Sequence, residues 1–249
     1  MLRPRLRIRI DPPRTGRENM ALDAAMLDRR RSGDDPVLRI YRWRPAAVSA
    51  GYHQPESDFD LTAIADRGWD WVRRPTGGRA ILHAEELTYA VAGDSPSTLF
   101  GEGLHDVYDR INRVLAAFLA GLGLHPDISD GESLAEARGA VCFRSAGRHE
   151  LTVAGRKIVG SAQRRHDGKF LQHGSILTGP AHADLLQALI PERLPAGGRE
   201  TLLMQTTHLS EQLGTTPDAL DHDALAEALA EAFAAGFDLE PLRESAEAD

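Results

Sequence analysis

The chain has 249 residues, a hydrophobic content of 42% with only 6% aromatic, and a formal net charge of -8. That length buries a sizeable core, and the acidic balance argues against a general nucleic-acid binder, which needs a basic face for phosphates. The longest nearly apolar run, "VLAAFLAGLGL" at 114 to 124, is too short to cross a bilayer, and the basic "MLRPRLRIRI" at the start lacks the apolar core and cleavage site of a signal peptide.

In chain order, "LRIRI" (6 to 10) alternates and reads as a strand. Residues 17 to 32 read as a helix with Met20, Ala24 and Leu27 on one face, ended by Gly33 and Pro36. "VLRIYRW" (37 to 43) and "AAVSAG" (46 to 51) read as strands. A polar stretch from Pro55 to Gly68 separates them from "WDWVRR", which leads into "VRRPTGGRAILHAEELTYAV" (72 to 91). The clearest helix places Leu104, Val107, Tyr108, Ile111, Leu115, Phe118 and Leu122 at three- and four-residue steps and stops near Gly121 or Gly123. Residues 126 to 140 read mainly as an acidic loop. Three antiparallel strands follow, turning at Ala154-Gly155-Arg156 and at His166-Asp167-Gly168. A last helix near 221 to 235 shares Leu225, Leu229 and Phe233 on one face. Strands and helices in mixed clusters, with no repeat or linker, predict a single α+β domain over 1–249: a mixed, largely antiparallel sheet flanked by helices.

The paired glycines invite a phosphate-cradle reading, but neither G-x-x-x-x-G-K-[ST] nor G-x-G-x-x-G is present, and a simple turn is the alternative. Arg73, Arg74, Thr76, Arg79 and His83 around that turn exceed what a connection needs. Ten histidines show no ligand spacing, so no metal is expected, and without G-x-S-x-G a serine hydrolase is unsupported. The lone cysteine, Cys142, excludes an internal disulfide and fits a reducing, cytoplasmic setting. It is either a small buried hydrophobe or, with Arg138, Arg144, Arg148, Arg156 and Lys157 near it in sequence, a nucleophile of lowered pKa. Of 29 basic residues only Lys157 and Lys169 are lysines. Lys157 in "GRKIVGSAQ" is either an exposed charge or an inward ammonium that stabilises a thiolate or an oxyanion, and Gly160, Ser161 and Ala162 would let a substrate chain pass close.

Together, "GYHQP", "VRRPTGGRAILHAEELTYAV", "AVCF", "GRKIVGSAQRR" and "LQHGSIL" resemble, in order, the lipoate-protein ligase and biotin ligase superfamily. In detail they resemble its octanoyltransferases, which load lipoyl domains from octanoyl-acyl carrier protein. The resemblance covers most of residues 17 to 237. It implies the catalytic-domain fold of biotin ligases and class II aminoacyl-tRNA synthetases. Cys142 matches the acyl-thioester nucleophile, and Lys157 the lysine that lowers its pKa and orients the carbonyl. Arg73 to His83 match the wall of the acyl pocket, with Gly77 and Gly78 giving close backbone approach. His83 and His173 contact substrate or satisfy strand ends. Ala84 stands where the family often has aspartate, so no role of that aspartate carries over.

The activity so implied moves an octanoyl group, without cofactor, from octanoyl-acyl carrier protein to a lysine of a lipoyl domain or glycine cleavage H protein. An acyl chain carries no charge, so an apolar pocket is expected. A basic rim of Arg144, Arg148, Arg156, Arg164 and Arg165 is expected to receive an acidic carrier. The rival readings are an ATP-dependent lipoate ligase, a lipoyl-domain amidotransferase and a non-catalytic acyl-carrier-binding protein. Arg79 in place of a third glycine counts against the first, and the coincidence of Cys142 with Lys157 against the last.

Overall fold

The structure, a computed structural model, describes residues 4–128 and 150–245. Cys142 lies outside them, as do Arg138, Arg144 and Arg148. Strand β1 (Arg5–Ile10) buries Leu6 and Ile8. Helix α1 (Gly16–Asp28) begins at Thr15, whose hydroxyl accepts from the Glu18 N–H (3.3 Å) while the Glu18 carboxylate accepts from the Thr15 N–H (3.0 Å). It ends at Asp28 rather than at 32, and its buried face holds Asn19 and Asp23 beside Met20 and Leu27, whereas Ala24 is only half-buried.

Next come β2 (Val37–Tyr41) and β3 (Ala47–Ala50), then α2 (Leu61–Asp66), a short helix inside the polar stretch, started by Asp60, whose carboxylate accepts from the Ala63 N–H. Strands β4 (Asp70–Arg73), β5 (Ile81–His83) and β6 (Glu86–Asp94) precede α3 (Leu104–Gly121). Of the expected α3 stripe, Val107, Ile111, Leu115 and Phe118 are buried, and Leu104, near the helix start, is exposed. The expected acidic loop begins as strand β7 (Pro126–Ile128), and its remainder lies outside the described residues.

The three expected antiparallel strands are β8 (Leu151–Val153), β9 (Arg156–His166) and β10 (Lys169–Leu177). Both of their turns use left-handed backbone, at Ala154 and Gly155 (φ 51° and 73°) and at Asp167 and Gly168 (φ 50° and 72°). That is the conformation whose twist matches two-residue hairpins. Helices α4 (Gly198–Gln205), α5 (Leu209–Gln212) and α6 (His222–Gly236) follow, then β11 (Glu240–Arg243).

The main sheet runs β11-β1-β2-β6-β10-β9-β8-β7, parallel in its first two pairings and antiparallel in the rest. The expected mixed, largely antiparallel sheet flanked by helices is thus the observed one. One face carries the main core, where Leu87, Tyr89, Val91, Phe170 and Ile176 meet Ile111, Leu115 and Phe118 of α3 and Leu229 and Phe233 of α6. On the other face sit α1 and a second sheet, β4-β3-β5, with its own cluster around Val48, Phe59, Ile81, Leu82 and Leu177.

Candidate active site

Strand alternation decides which side chains reach that second face. On β6, Leu87, Tyr89 and Val91 point into the main core, so Glu86, Thr88 and Ala90 point away. Their partners Leu177, Ser175 and His173 on β10 share that face, as do Gly160 and Ala162 on β9. By plain alternation Lys157 would join Val159 in the main core. The ladder between β8 and β9 contains a bulge, however: Leu151 pairs with Val159 but Thr152 with Lys157, leaving Ile158 as the extra residue. Ile158 and Val159 both enter the core, and Lys157, opposite Thr152, emerges on the second face. There it is 1% exposed and ion-paired with Glu150.

Between that face and the small sheet runs a narrow apolar slot of about 20 Å³, lined by Met20, Trp43, Ile81 and Thr88 together with Arg74, His83, Gly160, Ser161, Ala162 and His173. Such a volume holds about one water. The Ser161 hydroxyl turns to the core side and bonds the Tyr89 hydroxyl (2.8 Å), so this part of β9 presents mainly backbone to the slot. Burial pushes Tyr89 up to about 12, and the Gln172 and Ser161 hydrogen bonds only partly offset it. Gly174 permits the close packing here, because a Cβ would meet the Gly160 carbonyl at 2.7 Å and the Tyr89 ring at 2.7 Å.

Two buried histidines flank the slot, each oriented by a carboxylate. His173 bonds Asp23 through Nδ1 (2.8 Å) and Thr76 through Nε2 (2.6 Å), and Asp23 also takes Arg39 Nη1 (2.9 Å) and the Tyr41 hydroxyl (2.7 Å). Burial by itself would raise Asp23; the His173 hydrogen bond and the Arg39 charge outweigh it and hold the carboxyl below its ordinary range. On the other side His83 bonds Glu86 through Nδ1 (2.8 Å) and Ser49 through Nε2 (2.7 Å), with Trp43 stacked on the ring at 3.9 Å. Burial would likewise raise Glu86, but His83, with hydrogen bonds that include one from Thr88, holds it low. The order Ser49, His83, Glu86 mimics a hydrolase triad. Yet Ser49 is fully buried and its oxygen lies 3.2 Å from Arg74 Nη1, so the hydroxyl holds the histidine rather than facing substrate.

Arg73 and Arg74 of the "VRRPTGG" stretch are committed to backbone carbonyls. Arg73 donates to the carbonyls of Gly51, Tyr52 and Gln54 (3.0, 3.1 and 2.6 Å), and Arg74 to those of Ser49, Gly77 and Arg79 (3.0, 2.8 and 2.7 Å). They hold the "GYHQP" and "PTGG" bends in place around Gly78, whose φ is 89°. The close approach expected of the paired glycines is made by Gly51: its Cβ would sit 1.9 Å from the Gly78 carbonyl oxygen, whereas Gly77 faces open space. Of the expected wall residues, Arg74 and His83 line the slot; Thr76 supports His173 from the adjoining loop, and Arg73, Gly77, Gly78 and Arg79 lie in the bend behind it. The reading from sequence missed Met20, Trp43, Asp23 and Glu86. Asp23 and Asn19 carried a signal: they interrupt the apolar stripe of α1 at a four-residue step. Among the described residues no group of three histidine, cysteine, aspartate or glutamate side chains could hold a metal ion, and no helix is long and apolar enough to cross a membrane.

One buried face of the sheet thus carries the apolar slot, the two carboxylate-held histidines and the bulge-directed lysine. Residues 15–234 match the lipoyl protein ligase A/B catalytic domain, and the chain belongs to that family. Its relatives make it an acyltransferase: it is 42% identical over 236 residues to octanoyltransferase LipM of Symbiobacterium thermophilum, spanning 90% of this chain and 82% of that one. LipM of Moorella thermoacetica is 40% identical over 210 residues, 81% and 76% of the two chains. Among solved structures, a bi-partite lipoate protein ligase from Thermoplasma acidophilum superposes with a TM-score of 0.76 at 22% identity, over 98% of this chain and 88% of that one. Lipoate-protein ligase A bound with ATP gives 0.76 at 22%, over 98% and 89%. These two likenesses establish the fold.

Proposed function

We propose that this chain, as one catalytic domain over 1–249, moves an octanoyl group from octanoyl-acyl carrier protein to a lysine of a lipoyl domain or of the glycine cleavage H protein, in the cytoplasm and on the route to lipoate. The Cys142 thiolate attacks the octanoyl thioester carbonyl, the carbon–sulfur bond to the carrier breaks, and the carrier leaves as a thiolate, which takes a proton from solvent. The acceptor amine then attacks the Cys142 thioester; the amide bond forms, the cysteine sulfur departs as a thiolate, and the amine's proton passes to solvent. Two easier displacements replace one, and each carrier docks in its turn.

The observation that carries this reading is the placement of Lys157. A buried ammonium on the slot face suits the stabilisation of a thiolate or of the oxyanion that develops at the thioester carbonyl. The apolar slot suits the uncharged octanoyl tail, and Arg73 and Arg74, tied to carbonyls, are engaged in holding the bends rather than a phosphate. Eight carbons need more room than about 20 Å³. Widening is expected at Met20, whose thioether chain has three adaptable torsions. Cys142 takes its role from "AVCF" and from the relatives named octanoyltransferase.

The test is the intact mass of the protein after incubation with octanoyl-carrier protein in the absence of ATP. A thioester-labile octanoyl adduct that disappears in Cys142→Ala is expected. Product formed only with ATP, and no adduct without it, would overturn the reading in favour of a ligase. An adduct formed only from an octanoylated lipoyl domain would make the enzyme an amidotransferase.

A further inference from the structure

Lys157 is almost wholly buried, and a buried ammonium needs a counter-charge that stays with it. The described residues supply one directly: Glu150, immediately before β8, reaches across the β8–β9 hairpin to Lys157 Nζ. Its side chain is only 16% exposed, so water screens the pair weakly. Glu150 precedes Leu151, which enters the main core; alternation therefore puts Glu150 on the same second face onto which the bulge turns Lys157. The backbone of Lys157 is fixed as well, its carbonyl accepting from the Thr207 N–H at 2.9 Å.

We infer that Glu150 is a positioning residue for the reaction proposed above: its carboxylate holds the buried Lys157 side chain in one rotamer on the slot face of the sheet. The inference rests on Lys157 acting in that reaction. Other polar and charged groups near the lysine have described partners of their own. His182 bonds the Thr206 hydroxyl (2.9 Å), and Arg156 pairs on the surface with Glu211 (2.6 Å), beside His208. Glu150→Gln keeps the shape and removes the charge, so the ion pair that holds Lys157 is lost.

The experiment measures acyl-enzyme formation from octanoyl-carrier protein, resolved into a maximal rate and a half-saturating carrier concentration, for the full chain and for Glu150→Gln and Glu150→Asp. The expected result for Glu150→Gln is a maximal rate lower by roughly tenfold or more with the half-saturating concentration little changed. Glu150→Asp, which keeps the carboxylate, should recover much of the rate. A folded Glu150→Gln enzyme that keeps the parent's maximal rate, or a loss that Glu150→Asp does not recover, would overturn the inference. Cys142→Ala and Lys157→Ala in the same series separate the two ideas. If both are inactive while Glu150→Gln behaves as the parent, the inference fails and the acyl-enzyme reading stands; if Cys142→Ala still transfers octanoyl, the reading itself fails.

Discussion

The two faces of the main sheet are built from the same strands and have opposite characters. Towards α3 and α6, β6 and β10 present Leu87, Tyr89, Val91, Phe170 and Ile176, close-packed and nearly all apolar. Towards α1 and the small sheet they present Glu86, Thr88, His173 and Ser175, equally buried but joined by hydrogen bonds to Asp23, His83 and Thr76. The period-2 alternation of a strand lets one segment supply stability on one side and a polar, shaped slot on the other. The bulge at Ile158 is the exception that proves useful, moving the single buried lysine from the first face to the second.

The comparison breaks most visibly when one buried group is removed from each face. Phe233→Ala, on the apolar face, should cost about 3–5 kcal/mol of stability, while the folded fraction keeps its activity. Asp23→Ala removes one of the two carboxylates that bind Arg39, the other being Asp11, and takes the carboxylate partner from His173 and Tyr41, with an expected loss of about 1–3 kcal/mol for each buried polar group left unpaired. Here activity per folded molecule should fall too, because Thr76 and its loop are held through His173. Urea unfolding followed by activity at matched folded fraction checks both; equal activity in the two variants would refute the division of labour.

The slot side should also be the acid-sensitive side. Burial lowers His182 from its ordinary 6.5 to about 4. Its folded form thus binds fewer protons than the unfolded chain between those values. The associated stability is complete above about pH 6.5 and is lost as pH falls through about 4, by about 3 kcal/mol. His182→Gln should flatten that part of the stability curve. Carboxylates held low, Asp23 and Glu86, add their own losses further down. A denaturation midpoint that falls equally in parent and variant between pH 6.5 and 4 would contradict this. A smaller cost is expected of Gly174→Ala, about 1–3 kcal/mol, since the added Cβ must displace the Gly160 carbonyl or the Tyr89 ring.

The apolar face was the legible one. Three- and four-residue spacing placed α3 and α6 almost to the residue, and Asp167-Gly168 marked the β9–β10 turn. The second face was legible only where motifs concentrate, at Arg73 to His83 and at Gly160 to Ala162. Its organisation came from contacts distant in sequence, such as Asp23 with His173 and Trp43 with His83, which no local pattern encodes. The carbonyl partners of Arg73 and Arg74 were hidden for the same reason: a guanidinium that satisfies distant carbonyls looks, in sequence, like one that lines a pocket. Lys157 reads in the sequence as a candidate inward ammonium, but the bulge that turns it onto the second face is set by the pairing of two strands and leaves no mark in "GRKIVGSAQ".

The smallest effect concerns docking, where alternation again divides neighbours. Arg164 and Arg165 were expected to share a basic rim with Arg144, Arg148 and Arg156. Arg144 and Arg148 lie outside the described residues, and Arg156 is paired with Glu211. Arg165 lies on the core side of β9, its guanidinium donating to the Ser95 carbonyl and hydroxyl (both 3.1 Å) and to the Glu102 carbonyl (3.4 Å). Arg164 leaves on the slot side, two residues beyond Ala162, where it reaches the Pro75 carbonyl (3.3 Å) and lies over the exposed Tyr52 ring at 5.5 Å. For an acidic carrier approaching the slot, only Arg164 of this adjacent pair is on the relevant side. Arg164→Glu should therefore lower kcat/KM for the carrier by roughly three- to tenfold at low salt and flatten its dependence on ionic strength. Arg165→Glu should lower thermal stability, through its three lost acceptors, while leaving the salt dependence in place. Equal salt slopes for the two variants would place carrier docking away from the Arg164 side of the slot.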